Sequence, residues 1–130
     1  MGDRNTFVLS LTSRQFSKLR EDKAHRISPF IIEKVKEVNV HDQVLVFLRD
    51  KFVFIAEYDI IDFKLLQKYT RFFFEPVYIA PPTNGVKAND VLLVQLSTYE
   101  SVLEWQNMLT QELLDINARD YEIIVKKLML

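Results

Sequence analysis

The chain has 130 residues and a net charge of −1, with 48% hydrophobic and 27% charged residues, an ordinary globular balance that fits one folded unit over 1–130. It has no cysteine, which excludes disulfides, thiol catalysis, cysteine-ligated zinc and iron–sulfur clusters, and its two histidines, His25 and His41, are not at metal-ligand spacing. Two glycines leave almost no room for phosphate-cradling loops, and no run of about 18 apolar residues suggests a membrane span.

The N-terminal stretch lacks a long apolar segment after its basic residue, so no secretory leader is expected. Gly2 followed by Thr6 formally meets the N-myristoylation pattern. "TFVLSLT" alternates Phe7, Leu9 and Leu11 with Val8, Ser10 and Thr12 and predicts a strand. Thr12 then caps a short helix over 13–22, with Phe16 and Leu19 inward. Residues 21–26, "EDKAHR", read as a polar break. Ser28 at the cap and Pro29 at the first helical position open a second helix, whose stripe is Ile31, Ile32, Val35 and Val38.

After a turn at 39–42, two apolar runs around Arg49-Asp50-Lys51 predict a hairpin over 43–60. Nearly every position in it is apolar, so both faces must be covered. Residues 62–69 read as a helical turn. "RFFFEPVYIA", 71–80, predicts a fourth strand with an edge or bulge at Pro76. "DVLLVQL", 90–96, predicts a fifth. Ser97 and Glu100 form a capping box for a helix over 97–114, residues 115–116 add a short strand, and Asn117 caps a last helix with Tyr121, Ile124, Val125 and Leu128 on one face. The fold class is therefore α+β, a small curled five- or six-stranded barrel with helices packed around it.

Phe72, Phe73 and Phe74 cannot share one face of a strand. Taking Val77 and Ile79 as core markers puts Phe73 inside and turns Phe72 and Phe74 outward, toward either a covering helix or a ligand. A bulge at Pro76 would reverse that phase. Charge is uneven as well. Residues 1–71 hold 13 Lys/Arg against 10 Asp/Glu, while residues 72–130 hold 4 against 8, so the N-terminal half is the one suited to a phosphate backbone.

The order of "FVLSLTSRQFSKL", "KEVNVHDQVLVFL", "KFVFIAEYDI", "EPVYIAPP" and "INARDYEIIVKKLML" resembles the EVE domain of the PUA-like superfamily, alongside YTH domains. Thr12, Phe16, Val40-His41-Asp42 and Asp120-Tyr121 stand at motif places. The family's tryptophan–glycine pair falls near His25-Arg26 here, and its turn glycine is His41. The resemblance implies a non-catalytic nucleic-acid-binding module that reads a modified or flipped base. It also implies that the chain could serve as the targeting segment of a McrB-type restriction system, with an AAA+ GTPase motor in the full-length protein.

A base pocket would draw on Ser10 and Thr12 for the base edge, and on His25, Phe72, Phe74 and Trp105 for stacking. Arg14, Lys18, Arg20, Lys23 and Arg26 would hold phosphates. Each has a plainer role: Thr12 as a helix cap, Trp105 as a core anchor, Phe72 and Phe74 under a helix, the charges as a solvated face. No nucleophile–base pair marks an enzyme. No cofactor and a cytoplasmic location are expected. A generic RNA binder without a cage, or a protein-assembly domain, are the alternatives.

Overall fold

The computed structural model describes residues 4–130, so Gly2 lies outside the described residues, while Thr6 of the same pattern lies in the first strand. The elements run β1 (Thr6–Leu11), α1 (Ser13–Asp22), β2 (Ala24–Ile27), α2 (Pro29–Ile32), β3 (Gln43–Leu48), β4 (Val53–Leu65) and β5 (Thr70–Ile79). A 3-10 turn at Pro82–Asn84 follows, then β6 (Val86–Lys87), α3 (Asp90–Leu93), α4 (Val102–Met108), β7 (Leu113–Asp115) and α5 (Ala118–Leu128). The α+β class holds. The strands form one mixed sheet in the order β2-β5-β4-β3-β1-β7, with β6 on β4. β1 and β3 are parallel, because 31 residues carrying α1, β2 and α2 separate them and permit a crossover.

The sheet curls into a half-barrel, its end strands β2 and β7 joined by no backbone ladder among the described residues. His25 of β2 lies 3.1 Å from the Glu112 carboxylate, one residue before β7. Ile27 of β2, Val44 of β3, Ile60 of β4, Phe72 and Phe74 of β5 and Leu113 of β7 converge on an interior gap of only about 10 Å³. A gap that small holds at most about one water, so these side chains form a closed core.

Several local readings change. Residues 24–27 are an edge strand, not a polar break: Ala24 and Ile27 are buried while His25 and Arg26 face outward in part. α2 stops at Ile32, and Val35 and Val38 pack on the core from the turns that follow. Residues 62–65 extend β4, because Leu66 N–H donates to Tyr69 C=O and closes a hairpin there. The expected fifth strand is α3, capped by the Asn89 side chain on Leu92 N–H. α4 starts at Val102 with Ser101 as its cap, and Ser97 has another use.

That use is Asp120, fully buried in the first turn of α5. Its carboxylate accepts from the N–H groups of Ser97 and Thr98, from both their hydroxyls and from Arg119. So many donors make a buried carboxylate tolerable and pin the loop before α4 to α5. Tyr121 beside it donates to the buried Glu57 carboxylate at 2.6 Å, fastening α5 to β4.

Burial, then Glu57, pushes the Tyr121 hydroxyl up. Burial, then Asp115 and Glu104, pushes Tyr99 from 10.0 up to about 12. Both raised groups favour the fold fully below pH 10; the Tyr99 contribution is lost as pH rises through about 12, and the Tyr121 contribution starts to fall over the same range and goes on falling above it. Urea midpoints should therefore fall between pH 10 and 12, less steeply in Tyr99→Phe; an equal fall in both proteins would overturn the assignment. His41 sits at φ 78, in the left-handed region. His41→Gly should raise stability by about 1 kcal/mol, read from the same denaturant curves.

Candidate nucleic-acid interface

α1 is built to present charge. Thr12 accepts from Gln15 N–H while the Gln15 side chain accepts from Thr12 N–H, a reciprocal cap that sets the helix start. Phe16 and Leu19 anchor its inner face. At its end Lys23 takes φ 53, its N–H bonds Leu19 C=O, and its own carbonyl accepts from Phe74 N–H at 2.9 Å. The chain thus passes from helix to β2 with no intervening loop. A concavity lies on either side of α1.

The first, about 340 Å³, is lined by Lys18, Asp22, Ala24, His25, Arg26 and Arg71. The β2–β5 register sets Arg26 directly opposite Arg71. Like charges opposite one another destabilise a sheet unless something offsets them. Each guanidinium lies over a ring: Arg26 at 4.8 Å from Tyr69 and Arg71 at 5.2 Å from Phe73. That stacking orients both forks without neutralising them. Lys18 pairs with Asp22 at 3.6 Å, an exposed i,i+4 contact of small energetic weight. His25 is held from behind by Glu112.

The second, about 420 Å³, has an apolar floor that includes Phe16, Val53, Ile55 and Ile79, with Ser17, Arg20 and Lys51 contributing polar groups and Ser13 and Pro81-Pro82 among its lining residues; the Ser13 hydroxyl itself is buried. The Arg20 guanidinium lies 5.7 Å from the Phe16 ring. Nearby Tyr58 is 1% exposed, and its hydroxyl has no hydrogen-bond partner among the described residues. Burial pushes that hydroxyl up, against the opposing pull of the Arg20 charge.

The expected base cage is not there. Phe72 and Phe74 are 3% and 1% exposed and point into the sheet interior; it is Phe73 that faces out, beside Arg71. The cause is a bulge: Glu57 pairs with Tyr78 but Tyr58 pairs with Pro76, leaving Val77 extra and 48% exposed. Val77 therefore does not mark the core, and the phase before it reverses. Trp105 is fully buried, edge-on to Tyr99 at 4.8 Å, a core anchor rather than a wall. Ser10 is also fully buried, and its hydroxyl donates to Leu109 C=O at 2.6 Å, so no base edge reaches it. Thr12 is a helix cap.

Among the expected phosphate ligands, Lys18 and Arg26 share the first concavity with His25, and Arg20 lines the second. Arg14 and Lys23 are exposed but line neither. Sequence reasoning missed Arg71, Tyr69 and Lys51. The Arg71-x-Phe73 spacing, which puts a cation and a ring on one strand face, was the available signal for the first of these.

A core role for the two buried aromatics has a direct test. Phe74→Ala and Trp105→Ala should each lower stability by about 3–5 kcal/mol in urea unfolding. Cage walls open to solvent would leave the unfolding midpoint nearly unchanged.

No family model matches this chain, and no curated protein does. Its fold is similar to the solved structure of a hypothetical protein from Leishmania major, with a TM-score of 0.62 at 12% identity over 98% of this chain and 96% of that one. At that identity the likeness speaks for the shared α+β fold alone.

Proposed function

We propose that this chain is a non-catalytic nucleic-acid-binding module of PUA-like type, holding backbone phosphate in the first concavity and a flipped or single-stranded base in the second. The observation that carries the reading is the Arg26–Arg71 pair. Arg26 and Arg71 stand opposite each other in the β2–β5 register, each guanidinium stacked on its own ring, with Lys18, Asp22 and His25 lining the same hollow. An anion between them would turn a repulsive pair into an attractive one, and arginine forks match phosphate oxygens.

The second concavity supports the base. Its volume of about 420 Å³ falls within the usual range of ligand sites, its floor is apolar, and the Ser17 hydroxyl with the Arg20 and Lys51 cations suits a base edge. A methylated base would bury its methyl group on that floor, so a preference for modified base follows from the burial of apolar surface. His41 supports the PUA-like assignment: it takes the left-handed backbone at the place where the resembled turn carries glycine. In that role the chain would be the targeting part of a restriction system, and a nucleotide-hydrolysing motor would lie in another domain.

Labelled DNA and RNA oligonucleotides, with and without a methylated base, should be titrated at several salt concentrations. Arg26→Ala and Arg71→Ala should each weaken binding to all sequences and lower the salt slope by about one. Ser17→Trp, at an exposed position beside the second concavity, should erase any preference for the methylated base and leave the salt slope intact. No binding, or binding that ignores both arginine variants, would sink the proposal. Binding without base preference would remove the second concavity from it.

A further inference from the structure

β4 runs on past β3. Its ladder with β3 ends at the Gln43–Asp59 pair, while Asp62 to Leu65 pair with β5 alone. A bulge between Ile60 and Asp62 shifts the phase of the extension. Because Leu66 N–H donates to Tyr69 C=O at the hairpin end, the alternation of an antiparallel ladder leaves Phe63 and Leu65 in non-hydrogen-bonded pairs with β5. Their N–H and C=O groups therefore face away from β5, toward a free edge. Phe63 N–H is met there by the Asp62 carboxylate at 2.8 Å.

The side chains of this edge are unusual for one left open. Ile61, Phe63 and Leu65 are 45%, 36% and 75% exposed. Sheets in soluble proteins ordinarily cover or break such edges. Phe63, 5.8 Å from the Phe72 ring, puts itself and Leu65 on one face, leaving Asp62 and Lys64 on the other.

We propose that a second copy of this chain docks on this edge, antiparallel, about a two-fold axis through Phe63. That register sets Phe63 against Phe63 as a hydrogen-bonded pair, Ile61 against Leu65, and Asp62 against Lys64, and the axis repeats the last two pairings. Asp62 gives up Phe63 N–H to the partner backbone and turns to Lys64. A slip of two residues either way sets Asp62 against Asp62 or Lys64 against Lys64, so charge selects the register. The apolar face of each copy then covers that of the other.

Sedimentation velocity across the micromolar range should show a monomer–dimer equilibrium. Asp62→Lys alone puts like charges opposite one another at both ends and should raise the dimer dissociation constant about tenfold, as should Lys64→Asp alone. The double variant D62K/K64D should return it to near the original value, and molar salt should shrink the differences. Both positions are exposed, and matching far-ultraviolet circular dichroism will show that the variants fold. A wild-type chain that stays monomeric throughout overturns the proposal. So does a dimer indifferent to the single changes, or one that the double variant fails to restore.

Discussion

A sheet whose strands are apolar on almost every position must bury both faces, and this one does so by curling its inner face onto itself and leaving the outer face to helices. That bend is the constraint on which the other features depend. It brings β2 and β7, at opposite ends of the strand order, close enough for His25 to reach Glu112. It also brings side chains from β2, β3, β4, β5 and β7 onto one interior gap too small for more than about one water. Once the interior is closed in this way, Phe74 borders only that gap, while Phe72 also lines a shallow outer hollow of about 210 Å³ with Ile32, Val38, Phe63 and Leu65. The helices are left to cover the outside.

Buried carboxylates fix how the helices do so. Asp120 gathers the loop before α4 onto α5, and Glu57 takes the Tyr121 hydroxyl to hold α5 on β4. Asp42 accepts from Asn5 and Asn39 N–H and secures the turn into β3. Each would destabilise the interior if unpaired; each is met by backbone or hydroxyl donors instead. At 40–42 and 120–121, where the sequence resembles a family motif, His41 carries a left-handed backbone while Asp42, Asp120 and Tyr121 are buried hydrogen-bonding groups.

Function is left to what the closed core excludes. β2 is short, and its outer side turns Arg26 toward Arg71 while α1 leans Lys18 over the same hollow. The same helix offers Arg20 to the apolar-floored hollow beyond it. Basic and apolar surfaces therefore lie on the two flanks of one helix, and the proposed nucleic-acid binding rests on that arrangement. The extended β4–β5 hairpin, where Lys64 pairs with Arg71, carries the edge proposed to dock a second copy.

Much of this was legible from local rules. The Thr12, Ser28 and Asn117 caps, the first strand, the 43–60 hairpin and the last helix each depend on contacts within a few residues, and they stand where spacing and capping put them. Lys18 and Arg26 were identifiable as cations in the basic half. The elements that failed depend on distant partners. Residues 24–27 become strand because β5 supplies a ladder, and Asp90–Leu93 turns helical because Leu92 and Leu93 find the core, although its Asn89 cap was a local signal that sequence reasoning passed over. The three phenylalanines show the division most sharply. Alternation by itself determined that Phe73 opposes its neighbours. Which side is inside was decided by the Pro76–Val77 bulge and the closing of the sheet, because a one-residue irregularity inverts a period-two pattern and only the strand across the ladder reveals it.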